Sequence, residues 1–88
     1  MPDDILAHFN LGVALAQGRG QLPDAVAQFE AALRLNPSFA PAHCALGVTL
    51  ARMPGRGAEA REQLEEAVRL EPGNAKFRSL LDRLTAAP

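Results

Sequence analysis

The sequence predicts an all-α chain of five helices, paired as tandem antiparallel helical hairpins. Three observations predict it. Ala, Leu, Glu, Gln and Arg, all strong helix formers, make up more than half of the 88 residues, while Trp and Tyr are absent. Apolar residues recur at helical spacing in successive stretches. And one line is written nearly twice: "AHFNLGVAL" from Ala7 and "AHCALGVTL" from Ala42.

The repetition has a fixed period. Gly12 and Gly47 stand 35 residues apart, as do Pro37 and Pro72. In that register Ala7, His8, Leu11, Val13, Leu15 and Ala16 match Ala42, His43, Leu46, Val48, Leu50 and Ala51. Further on, Ala25, Gln28, Glu30, Ala32, Arg34 and Leu35 match Ala60, Gln63, Glu65, Ala67, Arg69 and Leu70. The chain therefore divides into two units, 3–37 and 38–72, and a tail, 73–88, within one domain.

Each element follows in order. Ala7, Leu11, Ala14 and Leu15 share one face of a first helix. "QGRGQLP" breaks it with two glycines, and Pro23 suits the first turn of the next helix. That second helix carries Ala25, Phe29, Ala32 and Leu33 on one face and stops before Pro37. The third helix repeats the first, "RMPGRG" repeats the break, and a fourth presents Leu64, Ala67 and Val68 before Pro72. Asp24 and Glu59 near helix starts, and Arg34 and Arg69 near helix ends, complement the macrodipole. Glu30–Arg34 and Glu65–Arg69 are i,i+4 pairs. After "PGN", Phe77, Leu80, Leu81 and Leu84 mark a fifth amphipathic helix. A glycine inside a helix costs about 1 kcal/mol relative to alanine. Two at equivalent places predict a close helix crossing, with Ala25, Ala32, Ala60 and Ala67 as the small residues that meet them.

The two units resemble tetratricopeptide repeats (TPRs). The resemblance rests on Leu11-Gly12, Ala25, Phe29, Ala32 and Pro37, and again on Leu46-Gly47, Ala60, Leu64, Ala67 and Pro72. His8 and His43 stand where that family often has Trp, and Leu15 and Leu50 where it often has Tyr. The family period is 34, so each unit here holds one extra residue, most economically placed in the turn between its helices. The resemblance covers residues 3–72, and the tail is similar to the solubilising last helix of such arrays. It implies a short right-handed α-solenoid.

Other chemistry finds little support. The formal net charge is −1, with acids and bases spread along the chain, which does not suggest a nucleic-acid or anionic-membrane partner. A single cysteine, Cys44, and an acidic start, Met1-Pro2-Asp3-Asp4, point to a cytoplasmic protein with no disulfide or secretory signal. The longest mostly apolar stretch is too short to span a bilayer. "GRG" at 18–20 lacks the third glycine and preceding strand of a nucleotide loop. His8, His43 and Cys44 have no metal-ligand spacing and read as packing residues. Glu59, Glu62, Glu65 and Glu66 beside Arg61 and Arg69 read as a solvated face. Eight dispersed arginines lack an aromatic platform for RNA, and their excess over Lys76, the lone lysine, reads as bacterial high-GC composition. The sequence thus implies no catalytic residue, metal or cofactor, and a chain that is not an enzyme.

In the resembling family, stacked first helices line a concave groove for a peptide or helix. By position, that wall here is Leu6, Phe9, Asn10, Val13 and Gln17, then Cys44, Ala45, Val48 and Arg52, then Lys76, Ser79, Leu80 and Arg83. Phe9 and Val13 stand where some relatives clamp a C-terminal carboxylate with Lys and Asn, so that clamp is mostly missing. The expected partner is a protein or peptide: an apolar or amphipathic helix, or an extended segment with acidic character. Two alternatives stay open. One is an accessory segment of a larger enzyme such as a bacterial transferase. The other is a homo-oligomer, with a dimer formed through the stripe Ile5, Leu6, Phe9 and Val13.

Overall fold

Asp4 starts the first helix. Its carboxylate accepts from the backbone N–H groups of Leu6 at 2.9 Å and Ala7 at 3.2 Å, satisfying donors that a helix start leaves over. The computed structural model describes residues 4–18 and 20–86; the outer bounds expected for the first unit and the tail, and Arg19 of "GRG", lie outside them. Helix α1 spans Ile5–Ala16. Helix α2 follows at Leu22–Leu35, with Pro23 in its first turn. Helix α3 is Ala40–Ala51 and α4 is Gly57–Leu70. Helix α5, Ala75–Thr85, starts at Asn74, whose side chain accepts from the Phe77 N–H at 3.1 Å. No strand occurs among the described residues.

The turns repeat as the helices do. Gly20 and Gly55, equivalent in the 35-residue register, have φ values of 75° and 76°, left-handed backbone that glycine adopts without a Cβ penalty. Each hairpin packs on itself, α1 against α2 and α3 against α4; α2 then packs on α3, and α5 on α4. Helices α1, α3 and α5 form one layer and α2 and α4 the other. The molecule measures 43 × 30 × 17 Å, and its thin dimension suits two layers of helices about 10 Å across.

Gly12 and Gly47 set the spacing between those layers. A β-carbon on Gly12 would lie 2.6 Å from Phe29 Cε1; one on Gly47 would lie 2.8 Å from Leu64 Cγ and 3.0 Å from the Ala60 carbonyl oxygen. The close crossing is present, but its partners differ from those expected. The large residue between the two alanines lies on each glycine, and in the second unit the Ala60 backbone presses on it as well. Ala25, Ala32, Ala60 and Ala67 are fully buried around it, and Phe29 and Leu64 are the largest fully buried side chains.

Equivalent residues do not share equivalent surroundings. Leu46 is 3% exposed and clusters with Val26 and Phe29 of α2, whereas its counterpart Leu11 is 48% exposed. Ala42 and Thr49 are buried, while Ala7 and Ala14 are exposed. The first-helix face expected on Ala7, Leu11 and Ala14 is therefore bare in the first unit, because among the described residues no helix plays for α1 the part that α2 plays for α3. The histidines link the layers in both units. His8 Nδ1 pairs with the Gln28 side-chain amide at 2.8 Å, and His43 Nδ1 with that of Gln63 at 2.8 Å. His43 also donates from Nε2 to the Pro37 carbonyl at 2.7 Å, tying α3 to the connection before it.

The expected i,i+4 pairs Glu30–Arg34 and Glu65–Arg69 do not form. Arg69 instead reaches back three residues with two guanidinium nitrogens to Glu66, and Glu65 pairs with Arg61 at 3.1 Å. Such exposed pairs contribute little stability. The glycine crossing contributes much more. Gly47→Ala should lower the unfolding free energy by about 1–3 kcal/mol through overpacking against Leu64 and Ala60. Gly57→Ala, where a β-carbon meets open space, should raise it by about 0.4–1 kcal/mol. Urea unfolding followed by circular dichroism checks both; equal effects at the two glycines would remove the crossing from the explanation.

Candidate functional site

A groove of about 600 Å³ opens along the layer formed by α1, α3 and α5. Its walls repeat with the chain. Phe9, Val13 and Gln17 come from α1 and its end, and Cys44, Val48 and Arg52 from the matching register of α3 and its end. Lys76 and Leu80 of α5 extend it. These eight of the expected residues come together. Leu6 and Asn10 are exposed outside it, as is Arg83 on α5. Ala45 lines the groove and Ser79 does not.

Val13 and Val48 show which way this face points. They are 36% and 37% exposed, nearly the same value in the two units. One residue pair away, Leu11 and Leu46 differ widely because stacking covers only the second. The valines thus lie off the stacking face and on the open one. Phe9 has two roles. Its ring meets Phe29 at 5.9 Å and Phe39 edge-on at 5.5 Å, so it braces α1 against α2 and the connection before α3. Of the N-terminal stripe expected on Ile5, Leu6, Phe9 and Val13, Phe9 and Val13 line the groove, while Leu6 stays 54% exposed outside it.

Sequence reasoning did not find the floor. Phe29 and Phe77 read as core, yet an edge of each reaches the groove, together with Ala16, Pro41 and Thr49. The signal was the same apolar period that defines the core, which cannot tell its deep side from its shallow one. Thr49 is buried and donates its hydroxyl to the Ala45 carbonyl at 2.8 Å, a bond within α3 that leaves no polar demand on the groove. Arg52 donates from Nη1 to the carbonyl of Ala16 at 2.7 Å, so it joins the second unit to the last residue of α1 while its charge stays at the groove.

Among the described residues no three His, Cys, Asp or Glu side chains gather as metal ligands do, and no helix is long and apolar enough to cross a membrane. Cys44 is 7% exposed, and burial raises its thiol pKa above the ordinary value, with the nearby charge of Lys76 pulling the other way. A family model described as TPR repeat matches residues 19–53, the segment that holds α2 and α3. No curated protein matches the chain.

The raised thiol makes a prediction with a definite sign. The native state holds the Cys44 proton more tightly than the unfolded chain does, so this group's contribution to stability is complete below the ordinary thiol pKa and is lost as pH rises through the native value. Labelling by a thiol reagent should be slower in the native chain than in urea, and its rate should keep rising to a higher pH. Coincident pH profiles for the two states would rule out the buried-thiol account. Cys44→Ala should remove this part of the alkaline loss of stability.

Proposed function

We propose that this chain, which a TPR-repeat model matches over residues 19–53, is a protein-interaction module that captures a helix or peptide of a partner protein in the groove between α1, α3 and α5. The observation that carries the reading is the pair of valines. Val13 and Val48 hold the same exposure in both units on the open layer, where folding has left apolar surface that stacking does not use. An elongated, mostly apolar groove of about 600 Å³ is of the size that side chains of a bound segment fill. In this reading units 3–37 and 38–72, with the closing helix 73–88, act as one scaffold, and the groove residues serve recognition rather than catalysis.

A second reading rests on a different surface. Leu6 and Leu11, 54% and 48% exposed, lie on α1 outside the groove and favour burial against another helix, from a second copy or from an enclosing assembly. Light scattering across a wide concentration range, with Leu11→Glu as the control, separates self-association through this edge from capture in the groove.

The groove reading is tested by panning a displayed peptide library on the immobilised chain and measuring the enriched peptides by fluorescence anisotropy. Val13→Asp and Val48→Asp should each weaken binding at least about tenfold, a loss of about 1.4 kcal/mol, with the helical spectrum unchanged. Unaltered affinity in both variants would exclude this surface.

A further inference from the structure

The formal charge of −1 hides a division between the two layers. Helices α2 and α4 contain six acids against three arginines. Helices α1 and α3 contain no Asp, Glu, Lys or Arg. Helix α5 contains Lys76, Arg78 and Arg83 against Asp82, Arg52 ends α3, and Asp4 starts α1, which leaves four cations against two acids. The groove layer is therefore cationic and the opposite layer anionic. The cations differ in pairing as well: Arg56, Arg61 and Arg69 are each held by a glutamate on α4. Lys76 and Arg52 line the groove with no acidic residue beside them in its wall, and among the described residues neither has a carboxylate within ion-pair distance.

We propose that the groove's occupant is an acidic amphipathic segment of a partner protein, with apolar side chains against Val13, Ala45 and Val48 and carboxylates toward Lys76 and Arg52. The proposal rests on the groove being the binding surface and names what it selects. Charge complementarity decides the sign of the partner: a basic segment meets two uncompensated cations, an acidic one meets two counter-charges. The apolar floor decides that charge alone is not enough. A single-stranded nucleic acid stacks its bases on free aromatic faces, and Phe9, Phe29 and Phe77 are half-buried or buried in the fold.

The test uses three synthetic amphipathic peptides of one design, Leu with Glu, Leu with Gln and Leu with Lys, and oligoglutamate as a charge-only probe. The Leu–Glu peptide should bind about tenfold more tightly than the Leu–Gln peptide, as expected for two exposed ion pairs. The Leu–Lys peptide should bind most weakly. Raising salt from about 50 to about 500 mM should erase the difference, and Lys76→Glu should reverse the order. Val48→Asn, which removes apolar surface without adding charge, should weaken all three. If the three peptides bind equally and Val48→Asn weakens them all, the groove reading stands and the acidic partner falls. Oligoglutamate binding as tightly as Leu–Glu overturns the amphipathic requirement. Absence of binding, or binding that Val48→Asn leaves untouched, overturns both readings. Salt-sensitive self-association that Lys76→Glu abolishes would make the anionic layer of a second copy the occupant, and the proposal would fail.

Discussion

Where a β-carbon of Gly47 would stand, Leu64 Cγ is only 2.8 Å away, and at Gly12 the Phe29 ring is closer still. The rest of the molecule follows from these two contacts. They let α1 and α3 lie down on α2 and α4 at a distance no other residue permits, with the four alanines buried around the crossing. Because the crossing recurs at the same place in each hairpin, α1 and α3 emerge side by side in one layer, and their outward valines fall in line. The groove is thus a by-product of how the hairpins close. A wider crossing would change the slope of each first helix and the space between them.

Much of this was legible in the sequence, and the reason is periodicity. A 35-residue register ties Gly12 to Gly47 and Val13 to Val48 without any knowledge of the fold, and a helical period then places them on a face. What was not legible depends on neighbours rather than on register. Leu11 and Leu46 are the same residue in the same line, yet α2 covers only the second. Glu65 has Arg61 and Arg69 equally near in sequence, and the choice turned on Arg69 finding a two-point contact with Glu66. The alanines were expected at the glycines because both are small; Ala60 does meet Gly47, but the large residue between the alanines lies closest in both units.

The two-layer arrangement also changes the meaning of the chain's modest net charge. Spread along the sequence, acids and bases look balanced. Sorted by layer, they do not, since the helices that build the groove contribute almost no acid. Arg52 shows how structural and recognition roles share one side chain: its Nη1 bond to the Ala16 carbonyl holds the two units in register and fixes where its positive charge lies. Lys76 is exposed and has no such tether among the described residues, so its charge is the freer of the two.

The bare face of α1 has a consequence for motion. Only Gly12 is buried on that helix, whereas seven residues are buried on α3, which is held from both sides by α2 and α4 and reached by α5. In a stack stabilised by nearest-neighbour contacts, opening begins where neighbours are fewest. The two ends of the stack, α1 and α5, each with a single buried residue, accordingly exchange their amide protons before α3 does. The groove thus has looser outer walls on either side of a firm middle one, and a ligand that bridges Val13 and Val48 fastens α1 to that middle.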